Sequence, residues 1–231
     1  MKKIFVKTIT ALNLLLCASV LTAMGSSENS AGKDKDRGPV VHYNSTAEVP
    51  FFEDEPKLNE IVLETLRNIQ SEFNGIYNAT TAADMMSAAA ARGFELIIDY
   101  GKVEKSDGYI GFIISAYQYT GGVHGNTDLI SINYDTKNKK IMTLEEALQP
   151  ASNDWLVKLS EEARKQLLEK LKSGKFESDE EWIKTGTKPA VQNFDIFKLE
   201  GENVRFIFPN YQVGPYSSGI SEIVIPLSFF K

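Results

Sequence analysis

Eight consecutive residues gather the side chains best suited to chemistry: Tyr119-Thr120-Gly121-Gly122-Val123-His124-Gly125-Asn126. Gly121, Gly122 and Gly125 free the backbone for turns and close approaches. They bracket His124, one of two histidines in the chain, the other being His42. Following a strand-like run, His124 stands where a general base could stand, with Asp128 or Asp135 as the carboxylate that orients it. Such a base needs a nucleophile or a metal beside it. No serine sits in a Gly-x-Ser-x-Gly elbow. Two histidines and the single Cys17 fall short of the three or four ligands of a Cys/His zinc site. One titratable group is not a catalytic constellation. The residues alone therefore read as a shaped loop whose histidine hydrogen-bonds local backbone, and the expectation is no enzyme, no metal and no cofactor.

A second stretch suits recognition rather than reaction. Phe208-Pro209-Asn210-Tyr211-Gln212-Val213-Gly214-Pro215-Tyr216-Ser217-Ser218-Gly219 has the composition of a long turn between two strands. Tyr211 and Tyr216 each pair a large ring with a polar tip at little entropic cost, and a segment stiffened by Pro209 and Pro215 loses less freedom on binding. The competing reading folds both rings back over the end of a sheet.

Composition removes several classes of function. The 231 residues carry 25 Lys+Arg against 31 Asp+Glu, a net charge of −6. A net-acidic chain without a basic block beyond its first residues lacks the footprint of a nucleic-acid binder. A lone cysteine cannot form an intramolecular disulfide. Residues 1–25 read as an export signal: a basic start at Lys2, Lys3 and Lys7, an apolar run from Ile9 to Leu21, then Ala23-Met24-Gly25 before a cut at Ser26. That run is shorter than the roughly 20 residues of a membrane anchor. Acylation at Cys17 is disfavoured, because Leu16 stands where a small residue belongs. Three lysines and no acids precede Ser26, so the cut takes the net charge from −6 to −9 and removes the cysteine. Residues 26–39 are a polar spacer unable to bury a core. The folded domain is expected over 40–231, divisible into parts of about 40–120 and 121–231.

The elements that must position these loops are visible in the periodicities. Leu58, Ile61, Val62, Leu66, Ile69 and Phe73 recur at helical spacing from Pro56 to Phe73, behind Glu53-Asp54-Glu55, which favours the positive end of a helix dipole. A second helix spans about Asn153 to Lys172, with Leu156, Leu159, Ala163, Leu167 and Leu171 inward. The alanine-rich run Ala82 to Arg92 suits a short third helix. Alternation predicts strands over Tyr109–Tyr119 and Asp128–Asp135. Further strands are expected over Phe194–Leu199, Val204–Phe208 and Ile220–Leu227, the last placed toward an edge by Pro226. Helices grouped in blocks and short turns between strands define an α+β fold, with antiparallel sheets packed by two long helices and one short helix.

Taken together, three stretches resemble a known family. They are Tyr119–Gly125; Ile132-Asn133-Tyr134-Asp135-Thr136 followed by Ile141-Met142-Thr143-Leu144-Glu145-Glu146-Ala147-Leu148; and the loop from Phe208 to Ile220. They are similar to a bacterial extracytoplasmic domain of unknown function, found in the lysozyme-sensing anti-sigma factor RsiV and at the N-terminus of PdaC-type peptidoglycan deacetylases. Glu146-Ala147-Leu148 replaces that family's Asp-Leu-Phe, and Gly214 and Ser217 stand where alanines are commoner. Neither a sigma-binding segment nor a deacetylase domain is expected here. The resemblance implies an exported domain, periplasmic or at the cell surface, with no stable membrane span once the signal is removed. It implies non-catalytic binding of a lysozyme-like cationic protein or of peptidoglycan glycan. Gly121, Gly122, His124, Gly125, Tyr211, Pro215 and Tyr216 would form the binding site. The alternative is an envelope hydrolase using His124 as general base.

Overall fold

The computed structural model describes residues 7–10, 43–80 and 93–231. The larger sheet contains β1 (Lys7–Thr10), β2 (Tyr43–Phe51), β3 (Phe94–Tyr100), β4 (Glu104–Ser106), β5 (Tyr109–Tyr119), β6 (Asn126–Asp135) and β7 (Lys140–Ile141). Its order is β1-β2-β3-β5-β6-β7, with β4 paired to β5. The chain leaves β2 through helix α1 (Pro56–Ala79) and returns as β3, so β2 and β3 pair in parallel. Every other pair in this sheet is antiparallel.

Helix α1 begins with proline at its first position, where the missing N–H costs nothing. Its buried stripe is Leu58, Val62, Leu66, Ile69 and Phe73, packed in one core with Leu96 and Ile98 of β3 and Ile110, Phe112, Ile114 and Ala116 of β5. Burial of each large aliphatic side chain contributes about 1.5–3 kcal/mol, so this stripe holds the helix to the sheet. The acidic entry acts differently from the dipole expectation. The first turn carries no acid, and Glu55 sits at the N-cap, where its carboxylate pairs with Lys139 at 2.9 Å.

The remaining chain builds a second layer. A three-stranded antiparallel sheet of order β10-β9-β8 is formed by β8 (Phe197–Glu200), β9 (Asn203–Phe208) and β10 (Ser221–Pro226). It packs with α2 (Leu144–Leu148), α3 (Trp155–Lys172) and α4 (Glu180–Gly186) around Leu159, Ala163, Leu167, Ile183 and Phe206. A capping box between Thr143 and Glu146 starts α2, and the Asp179 side chain accepts from the Trp182 N–H to start α4. Pro226 ends β10, an edge strand as expected.

The two layers meet across the outer face of β5 and β6. Asn133, only 1% exposed, behaves as a piece of strand: its Nδ2 donates to Phe197 O at 2.7 Å and its Oδ1 accepts from Leu199 N at 2.9 Å. Ser131 Oγ also donates to Phe197 O. Gly111 makes the approach possible, since a Cβ there would lie 3.1 Å from Asn133 Oδ1 and 3.2 Å from Leu199 O.

The α+β class matches the structure, with mostly antiparallel pairing. Two features differ from expectation. The described residues contain the short helices α2 and α4, each long enough for one cap and two buried residues but too short for a periodic stripe. The β2–β3 pairing is parallel, because a helix rather than a turn connects them. The alanine-rich stretch 82–92, Cys17, the cut before Ser26 and the spacer 26–39 lie outside the described residues; of the stretch read as an export signal, Lys7–Thr10 is described and pairs with β2 as β1, a place that a cut before Ser26 would leave empty. Among the described residues, no helix is long and apolar enough to cross a membrane.

Candidate functional site

The β5–β6 connection and the β9–β10 loop meet at one end of the molecule. Gly121 opens the first connection at φ +95°, which a residue with a side chain rarely adopts. Gly122 and Val123 are exposed at its tip, Val123 completely. Gly125 is buried for a steric reason: a Cβ there would lie 2.4 Å from the Tyr117 ring. The chain thereby lies flat on Tyr117 and lifts His124 outward.

The second loop is braced from below. Gln212 Nε2 donates to Gly186 O and Asn193 O at 3.0 and 2.9 Å. Ser178 Oγ donates to Val213 O at 2.5 Å, and Trp182 Nε1 to Tyr211 O at 2.9 Å. A Cβ on Gly186 would come within 2.0 Å of Gln212 O, so helix α4 must present glycine here. Tyr211 takes a left-handed conformation, φ +69°, costly for an aromatic residue and sustained by these braces. Pro215 precedes a short 3-10 turn, Tyr216–Ser218.

Three rings converge as a result. His124 stacks on Tyr216 with centroids 3.8 Å apart and planes at 19°. The Tyr216 hydroxyl donates to Gly125 O at 3.0 Å. His124 Nδ1 lies 2.9 Å from the same carbonyl. A carbonyl only accepts, so Nδ1 carries a proton. In the neutral ring Nε2 is then the acceptor, and it meets the Tyr211 hydroxyl at 3.3 Å. Tyr211 is 51% exposed and lies 5.8 Å from Tyr216, centroid to centroid. The outcome is an exposed imidazole with a fixed tautomer, a stacked platform and a phenol at its rim.

Of the residues singled out from sequence, Gly125, His124, Tyr211 and Tyr216 are in mutual contact. Gly121 and Gly122 shape the turn that carries them, and Pro215 leads into Tyr216. Neither proposed orienting carboxylate reaches the histidine. Asp128 is held by Gln118 Nε2 and Asn126 Nδ2. Asp135 accepts from the Asn138 N–H and side-chain amide and from the Lys137 N–H in the next turn, and those contacts hold its carboxyl below the usual range. Sequence reasoning missed Tyr117, Trp182 and Gly186. Only Tyr117 carried a signal, lying one strand position from the buried face and eight residues before Gly125. Among the described residues, no group of three or more His, Cys, Asp or Glu side chains is placed to hold a metal.

Comparisons with known proteins divide the chain at this site. Residues 41–127 match the family model described as "Deacetylase PdaC", and residues 148–228 match "Protein of unknown function (DUF3298)". Over 137 residues the chain is 29% identical to the peptidoglycan-N-acetylmuramic acid deacetylase PdaC of Bacillus subtilis (strain 168), covering 59% of this chain and 28% of that protein. Two crystal structures share the fold. A DUF3298 protein from Pseudomonas aeruginosa PAO1 is 24% identical with a TM-score of 0.55, covering 80% of this chain and 82% of its own. One from Bacteroides fragilis is 17% identical with a TM-score of 0.51, covering 80% and 81%. The chain is thus similar to PdaC-type and DUF3298 proteins. One expectation is corrected: a chain read as non-enzymatic because it offers one candidate histidine, His124, is similar to a named deacetylase. Counting titratable groups within one chain says nothing of chemistry that a relative carries along the rest of its length.

Proposed function

We propose that this is an extracytoplasmic, cell-wall-associated domain that engages the glycan of peptidoglycan in the course of its deacetylation. The carrying observation is the His124–Tyr216 stack with the Tyr211 hydroxyl at its rim, built from one segment similar to PdaC and one similar to DUF3298. A sugar ring pairs an apolar C–H face with a ring of hydroxyls. A stacked platform accepts the first, and the Tyr211 hydroxyl and imidazole edge accept or donate to the second. The braces beneath Tyr211 and Val213 fix the rings in advance, reducing the ordering cost of binding. Export of the chain is supported by the basic, apolar and small-residue pattern of residues 1–25.

Co-sedimentation with purified peptidoglycan, with acetate release measured in parallel, tests this reading. Tyr211→Ala and Tyr216→Ala should each reduce the bound fraction about tenfold, as expected for aromatic anchors worth about 1.4 kcal/mol or more. Folded variants that bind as the parent does would remove the site from this role. The net charge, −6 for the full chain and −9 once Lys2, Lys3 and Lys7 are removed with residues 1–25, favours a second reading, a cationic lysozyme-like protein as partner. That reading requires a lysozyme complex whose association slows with salt and whose dissociation speeds up in Tyr216→Ala.

A further inference from the structure

Sheet edges are where a fold invites further strands, and this one closes most of its own. The free side of β8 bonds to Ser131 and Asn133, and the β10 carbonyls of Glu222 and Val224 accept from Lys170 and Gln166 of α3. β4 and β7 are only three and two residues long. β2 differs. It pairs with β3 through Tyr43–Ala47, and its remaining stretch, Glu48–Phe51, pairs antiparallel with β1 alone among the described residues. β1 itself lies within the stretch read as an export signal. We propose that in the mature chain this vacated edge takes up an extended basic segment of another protein as an added strand. The vacancy depends on the cut before Ser26 and not on the glycan reading.

The seated strand gives the geometry. Its register sets Lys7 opposite Phe51, Thr8 opposite Pro50, Ile9 opposite Val49 and Thr10 opposite Glu48. A strand therefore fits here despite Pro50, which offers the ladder no N–H. Once β1 is removed, the backbone polar groups that it paired in Glu48–Phe51 return to water or find a new partner. An added strand satisfies them through main-chain bonds, which supply affinity, while the alternating side chains supply specificity.

The edge also selects among side chains. Val49 belongs to the core beneath α1, and directly opposed residues share a face, so the position opposite it calls for an apolar residue. Glu48 is exposed, so the position opposite it calls for a polar one. Charge decides between occupants. The edge runs into Glu53-Asp54-Glu55, and the chain after the cut carries a net −9. That field attracts a cationic segment and repels a second copy. A β2–β2 contact of four residues a side also falls short of the roughly 20–30 residues a side of stable interfaces. Lys-Thr-Ile-Thr of β1 meets all three demands in register: basic at the Phe51 end, apolar opposite Val49 and polar opposite Glu48.

The test titrates a synthetic peptide of residues 4–11 into the mature chain from the envelope fraction and into the uncut full chain, with amide hydrogen exchange to locate binding. The mature chain should bind the peptide and gain protection within Glu48–Phe51. The full chain, its edge filled by its own β1, should bind at least tenfold more weakly. Alternate N–H groups of a strand face its neighbour. N-methylation at one of Thr8 and Ile9 should therefore cost about tenfold, and at the other almost nothing. Lys7→Glu in the peptide should weaken binding more at low salt than at high salt. No binding by the mature chain, equal binding by both chains, or equal effects of the two methylations would overturn the strand assignment. Concentration-dependent dimers of the mature chain with the same protection would overturn the basic partner in favour of a second copy. An envelope protein whose intact mass still begins at Met1 would overturn the vacancy. None of these outcomes bears on peptidoglycan binding by the aromatic site, which Tyr216→Ala reads separately.

Discussion

Glu200 shows how far one side chain's surroundings move its proton. Hydrogen bonds from Arg205, then from Lys198, and the charges of both lower its pKa from 4.5 to about 2, against the opposing effect of burial. Arg205 Nε and Nη2 hold both carboxylate oxygens at 3.0 and 2.9 Å, and its Nη1 donates to Glu222 at 2.5 Å. A carboxylate with a depressed folded pKa contributes stability that is complete above its unfolded pKa and lost as pH falls toward the folded value. Glu200→Gln should therefore melt below the parent at neutral pH, with the gap closing between pH 4.5 and about 2. Melting curves across that range check it, and a gap independent of pH would show that the lost stability does not come from the ionised carboxylate. The site's residues obey the same local logic. His124 and its glycines were legible because glycine spacing announces a turn, and Tyr211 and Tyr216 because proline and glycine announce a loop. Their mutual contact was not legible, since 87 residues separate Tyr211 from His124.

At the level of elements, β8 is attached to the larger sheet largely through side chains. Asn133 supplies a donor and an acceptor to two consecutive hydrogen-bonding positions of β8, in the way a neighbouring strand would. Asn133→Ala strands the buried Leu199 N–H and weakens the bonding of Phe197 O, each at about 1–3 kcal/mol. We expect a loss of about 3 kcal/mol in denaturant titration, with a smaller loss for Ser131→Ala, because Phe197 O keeps Asn133. Equal and small losses in both variants would contradict this role. Asn-Tyr-Asp stood out in the sequence only as part of a resemblance, because a strand residue's partner across a sheet interface leaves no periodic trace. Helix α1 and strand β5 were legible from their stripes, Leu58 to Phe73 and Ile110 to Ala116, where one face is uniformly apolar. β2 was not, because only Ala47, Val49 and Pro50 of its nine residues are buried and its first half is polar. β3 alternates Phe94, Leu96 and Ile98 inward, a signal present in the sequence and overlooked.

Over the whole molecule, two cores share one hairpin. Ile132 and Tyr134 of β6 belong to the core beneath α1, and the opposite face of the same strand receives β8. The core beneath α1 cannot close without Ile132 and Tyr134 of β6. Residues 40–127 produced alone should therefore lack a cooperative melting transition, and differential scanning calorimetry of that piece tests this. A sharp transition in it would show a self-sufficient unit. The aromatic site bears the same dependence, since His124 comes from the segment similar to PdaC and Tyr211 and Tyr216 from the segment similar to DUF3298. A gene that carried one segment without the other would encode half a stack and half a hydrogen-bond pair. Exchange of either segment for a relative's would keep the stack only where His124 still meets Tyr211 and Tyr216.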